Sequence, residues 1–200
     1  AEYWRLLAQF RLDKDDYRSA AGALEISYAV KPPDKNKNWE DLADLYAYLN
    51  APLKVAGTLV NALKGIKAND SKFLQLAEFY SRAQRFDAAI AYIDKMIAAE
   101  KTAKLLLEKG KIQYDAGRTK AAIAAWEDCI EADAKEGECH ILKGFGEWDL
   151  RDWDAARTTF EGALKLKEYR LQAEDAIAVL EDLESAKYDP DSPDNPKSVR

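Results

Sequence analysis

One histidine, two cysteines and many carboxylates are the residues through which this chain could do chemistry. His140 is the only histidine, so neither a two-histidine metal site nor a histidine relay can be assembled. It falls where a packing aromatic belongs on a helical stretch, and it reads as a packed core residue. Cys129 and Cys139 lack the further ligands of a four-coordinate zinc site. Their midpoint, residue 134, lies in a predicted turn between two antiparallel helices. Residues equidistant from a tight turn lie at similar height, so a disulfide is within reach if the side chains face each other. The alternative is a pair of buried free thiols. A bridge would imply an oxidising compartment. Gly144-Phe145-Gly146 is helical sequence without the spacing of a phosphate-cradling loop. The 36 acidic residues read as a solvated face rather than a catalytic pair. No catalytic residue, metal ligand or cofactor is expected, and the chain reads as a non-enzyme.

Composition narrows the partners. The net charge is −6 and the pI near 5.0, which disfavours nucleic acid and anionic lipid surfaces. No run of 18 apolar residues exists, so no membrane insertion is expected. Glycine is scarce and alanine abundant, which favours helix. The opening Ala1-Glu2-Tyr3-Trp4 already belongs to a repeating unit, and the chain reads as an excised domain or mature fragment.

The elements that must position these residues repeat. Arg85-Phe86-Asp87-Ala88-Ala89 with Ile93 has counterparts at Asp16 to Ala20 with Leu24, Ala51 to Val55 with Leu59, Thr119 to Ala122 with Trp126, and Asp152 to Ala156 with Phe160. The small residues Ala20, Val55, Ala89, Ala122 and Ala156 are spaced 35, 34, 33 and 34 apart, a helix-hairpin period. A second small column, Ala8, Ala43, Ala77, Gly110 and Gly144, falls on the preceding helix of each pair. Small residues let two helices approach closely, and the bulky residue four beyond fills the space to the next unit. The apolar spacing predicts helices from about Glu2 to Asp13, Tyr17 to Val30, Trp39 to Tyr48, Pro52 to Gly65 and Phe86 to Ala99. Asn69-Asp70-Ser71 offers an N-cap to the helix carrying Phe73, Leu76 and Tyr80. Two more pairs follow. The expected domain is 1–186, with repeats 1–35, 36–69, 70–102, 103–136 and 137–167, a cap helix 168–186, and a disordered tail 187–200.

Trp4-x2-Leu7-Ala8, Ala20-x3-Leu24 and Pro32, with Trp39-x2-Leu42-Ala43-x2-Tyr46 and Phe73-x2-Leu76-Ala77-x2-Tyr80, resemble the tetratricopeptide repeat. The resemblance implies an all-α, right-handed α-solenoid of five helix pairs plus the C-terminal cap. It also implies a concave groove lined by the first helix of each pair. The groove candidates are then Arg5, Gln9, Asp44, Tyr48, Glu78, Arg82, Lys111, Tyr114, Phe145 and Trp148, with Asp115 and Asp149 beside the last four. Tyr114, Phe145 and Trp148 are the anchors for a protein or peptide partner. The alternative is that Phe145 and Trp148 pack under the terminal helix. The repeats that grip carboxylate tails use Lys and Asn; Glu40 and Asp44 would repel such a tail.

Leu45-Tyr46-Ala47-Tyr48-Leu49-Asn50-Ala51-Pro52-Leu53-Lys54-Val55-Ala56 with Leu63, and the opening Tyr3-Trp4-Arg5-Leu6-Leu7-Ala8, are similar to bacterial tetratricopeptide proteins encoded beside the TonB–ExbB–ExbD machinery. That implies a periplasmic accessory of TonB-dependent outer-membrane uptake, with a TonB-system component as partner; a cytoplasmic site is the alternative. A monomer or weak oligomer is expected. The competing reading is a structural module that self-associates through its end repeats or convex face.

Overall fold

The structure, a computed structural model, describes residues 1–67 and 71–188, with side chains through Leu183. Among the described residues the regular elements are eleven helices: α1 Glu2–Leu12, α2 Tyr17–Val30, α3 Asn36–Tyr48, α4 Pro52–Ala62, α5 Ser71–Arg82, α6 Phe86–Ala99, α7 Ala103–Asp115, α8 Thr119–Ala132, α9 Gly137–Asp149, α10 Trp153–Ala163 and α11 Arg170–Tyr188. The fold is all-α. Asp16 caps α2 by accepting from the Ser19 N–H at 3.2 Å, and Pro52 opens α4, where its missing N–H costs nothing. The Asn69-Asp70 part of the expected cap lies outside the described residues, as does the tail from 189. Lys187 and Tyr188, expected in that tail, instead continue α11; from Arg170 on, the first proline is Pro190.

Every helix pair closes in the same way. Asp15, Asn50, Gln84, Gly117 and Arg151 all take positive φ, between 51° and 72°. In each case the next residue's N–H reaches back to a carbonyl five residues earlier: Asp16 to Arg11 at 2.9 Å, Ala51 to Tyr46 at 3.0 Å, Arg85 to Tyr80 at 2.8 Å, Arg118 to Gln113 at 2.9 Å and Asp152 to Glu147 at 3.0 Å. This is the Schellman closure, which satisfies a carbonyl left open at the helix end. Only one of the five positions is glycine.

The chain packs as two compact units, Ala1–Glu100 and Lys101–Arg200. The first holds the pairs α1/α2, α3/α4 and α5/α6. Its small columns are buried, Ala8, Ala43 and Ala77 on the first helices and Ala20, Val55 and Ala89 on the second. Between pairs, Tyr28 meets Trp39 edge to face at 5.0 Å. The buried Tyr46 hydroxyl donates to Glu25 at 2.8 Å, and Lys54 closes on the same carboxylate at 2.6 Å.

The second unit holds α7/α8, α9/α10 and α11. Its columns bury Ala122 and Ala156 against helices carrying Gly110 and Gly144. Trp126 and Phe160 fill the interior, each contributing roughly 1.5–3 kcal/mol of burial before entropy. Phe160, Ile141 and Ala163 form one cluster with Ala173, Ala176 and Leu180 of α11, so α11 covers the last pair. Cys129 of α8 and Cys139 of α9 are joined across the turn, with a Cα–Cα separation of 6.3 Å. Both are fully buried.

Candidate functional site

A cavity of about 480 Å³ opens in the second unit, lined by Lys111, Tyr114 and Asp115 of α7, Trp126 of α8, and Leu142 and Phe145 of α9. Helical spacing explains the lining. Lys111, Tyr114 and Asp115 share one face of α7, and Leu142 and Phe145 are one turn apart on α9. Trp126 reaches between them as the floor. It is 1% exposed, its indole N–H donates to the Leu107 carbonyl at 3.3 Å, and Tyr114 leans on its ring at 5.8 Å. Gly110 and Gly146 both stand against Trp126: a methyl group at either would crowd the indole. The walls are half open, with Tyr114 39% and Phe145 38% exposed. Phe145 is held edge to face against the buried Phe160 at 5.2 Å. The result is an apolar slot with a fixed floor and two aromatic lips.

The rim is charged. Lys111 lies between Glu108 at 3.1 Å and Glu138 at 2.8 Å. Partial burial draws its ammonium pKa down, but the hydrogen bonds to Glu138 and Glu108 outweigh that, and the net shift is upward. The Tyr114 hydroxyl donates to Asp149. That hydrogen bond, then partial burial, then the negative charges of Asp149 and Asp115, raise the phenol's pKa, so Tyr114 stays protonated as a donor.

The expected groove residues divide between the two units. Lys111, Tyr114 and Phe145 converge on the slot. Trp148 does not line it: half-buried, it packs on Phe145 at 6.3 Å and Trp153 at 5.7 Å, beside the cluster under α11. Trp148 is thus neither an open anchor on the slot nor shut off from solvent, whereas Phe145 keeps an open face. In the first unit, Arg5 joins the α2–α3 loop residues Lys31 to Asp34 around a cavity of about 310 Å³. Gln9 donates to Asp13 at 3.0 Å, and Tyr48 stands on Tyr17 at 4.9 Å. Arg82 lies over the Phe79 ring at 5.5 Å and reaches Asn50 at 3.5 Å. Asp44 and Glu78 are exposed.

Sequence reasoning missed three features. Trp126 reads from the sequence as a space-filling residue and not as part of the slot, and Leu142 is not singled out there at all. Glu147, taken with the other acids as solvated, is instead only 7% exposed; it accepts from Thr159 at 2.7 Å and pairs with Lys143 at 3.3 Å. The Lys143–Glu147 spacing of four was the available signal. His140, expected as a packed core residue, is instead only half-buried, with Nε2 3.3 Å from the Ala134 carbonyl.

No protein-family profile matches the chain, and no curated protein matches it in sequence. Solved structures do. A tetratricopeptide protein from Cytophaga hutchinsonii, solved as its C-terminal part, aligns with a TM-score of 0.62 at 15% identity, over 90% of this chain and 76% of that one. One from Parabacteroides merdae gives 0.60 at 14%, over 92% and 73%. MamA gives 0.59 at 18%, over 82% and 96%. At these identities the likeness is one of fold, and the chain folds as helix pairs of the tetratricopeptide-repeat kind.

Proposed function

We propose that this chain is a non-enzymatic interaction scaffold that seats a segment of a protein partner in the slot between α7 and α9. One observation carries this reading: Tyr114 and Phe145 stand part-exposed over a buried Trp126 floor, on the helices that line the groove in this fold. A part-exposed aromatic pair above an apolar floor is an anchor site for a side chain that enters from outside. The test is quantitative capture from bacterial envelope extract with the wild-type chain, Tyr114→Ala and Phe145→Ala. Both variants are expected to lose the captured partner while keeping their far-UV helicity. Undiminished capture moves the site elsewhere.

A finer assignment rests on the TonB-linked likeness of the segment from Leu45 to Ala56, which spans the end of α3 and the start of α4. It makes the chain a periplasmic accessory of TonB-dependent uptake, and the buried Cys129–Cys139 bridge suits such an oxidising compartment. Recovery of a TonB-system component supports it; a partner set without one removes it. Self-association is favoured by a different observation, the exposed Tyr3, Leu6 and Phe10 on successive turns of α1. Sedimentation velocity at rising concentration decides that reading, and a constant monomer ends it.

A further inference from the structure

The slot has an electrostatic asymmetry that its apolar lining does not require. Asp115 is the last residue of α7 and Asp149 the last of α9, and neither helix has a basic residue in its final turn. Helix C-termini carry partial negative charge, which a nearby cation stabilises. Here two such ends each bear a carboxylate instead. Tyr114 links the two ends: it precedes Asp115 in α7, and its hydroxyl bonds to Asp149 of α9. Lys111 does not offset them, because Glu108 and Glu138 already share its charge. Asp115 lines the slot, and Asp149, Glu108 and Glu138 each bond to one of its lining residues, four carboxylates to the one lining ammonium of Lys111, on a chain of net charge −6.

Resting on the slot as the binding site, we infer that its occupant is a cationic peptide segment: an apolar or aromatic side chain seated on Trp126 and Leu142, flanked by Lys or Arg placed against Asp115 and Asp149. An acidic segment would meet like charge at both helix ends. A purely apolar one would leave those ends uncompensated. Charge complementarity of this kind selects among partners that fill the same apolar space.

The test uses three labelled octapeptides and fluorescence anisotropy on the whole chain. One has a Leu-Trp core between lysines, one the same core between glutamates, and one a Ser-Ser core between lysines. The lysine-flanked Leu-Trp peptide is expected to bind at least about tenfold tighter than either other, an advantage that shrinks between about 50 and 500 mM salt. Asp115→Asn combined with Asp149→Asn should abolish most of that advantage, since asparagine keeps shape and hydrogen-bonding capacity but not charge. Glutamate-flanked binding that equals it and disappears in Phe145→Ala overturns the cationic inference while leaving the slot as the site. Equal binding of the Ser-Ser peptide overturns it as mere charge attraction. Failure of both Leu-Trp peptides overturns the slot reading itself.

Discussion

Gly144→Ala should destabilise the second unit even though alanine is the better helix former. The first-helix column carries alanine at Ala8, Ala43 and Ala77, where the partner-helix residues are Leu24, Leu59 and Ile93. It carries glycine at Gly110 and Gly144, where the partners are Trp126 and Phe160. A methyl group at Gly144 would stand 2.5, 2.7 and 2.8 Å from three atoms of the Phe160 ring. Ordinary carbon contacts lie near 3.5–4.0 Å, so the ring would have to retreat by about 1 Å. Phe160 is fully buried, with Phe145 against one edge and the α11 cluster beside it, so it has little room to do so. The helix gains roughly 1 kcal/mol from replacing glycine, while overpacking costs roughly 1–3 kcal/mol. With a rigid aromatic as the obstacle, the net loss expected is about 1–2 kcal/mol. Urea unfolding followed by tryptophan emission and far-UV circular dichroism measures it. Phe160→Leu alone should destabilise by leaving a void. Combined with Gly144→Ala it recreates the alanine–leucine pairing of the first two repeats, so the two losses should fall short of additive by about 1 kcal/mol or more. A Gly144→Ala chain at least as stable as wild type, or strictly additive losses, would refute the size-matching account.

Two further outcomes follow from groups already placed. Intact mass without reductant should fall two hydrogens short of the dithiol mass, and reduction should lower the unfolding midpoint. Closing a loop of ten residues is worth about 2.5–3 kcal/mol in the chain-entropy description; a reductant-insensitive midpoint contradicts it. The hydrogen bond from Lys54 holds the Glu25 carboxyl below its ordinary value of 4.5, against the opposing effect of partial burial and with help from Tyr46. A lowered folded-state pKa means stability present above about 4.5 and lost as pH falls through the folded value. Glu25→Gln should flatten the acid limb of the stability curve, and an unchanged limb would show that Glu25 carries none of it.

Much of the helix framework can be read from residue types alone, because small residues at a 34-residue spacing have one mechanical use. Ala20, Val55, Ala89, Ala122 and Ala156 are all buried, and the pairs they define are the pairs observed. The turns were less legible. Gln84 and Arg151 take positive φ without the glycine that would announce it, because the Schellman bonds around them hold the backbone there. The slot was half legible. Helical spacing puts Lys111, Tyr114 and Phe145 on one side, but their exposure depends on neighbours. Trp148 shares their spacing and packs away, since Trp153 lies in its path. Buried Glu147 has two partners: Lys143, whose spacing of four shows in the sequence, and Thr159 on another helix, which carries no positional signal.

The bridge between α8 and α9 bears on how the slot meets a visitor. Trp126 sits three residues from Cys129, and Leu142 three residues from Cys139, so floor and wall are tied together about one turn from where a side chain would lodge. Covalent anchorage limits how far α9 can swing from α8. A guest therefore finds a berth of settled width and does not bear the entropy of drawing loose walls together.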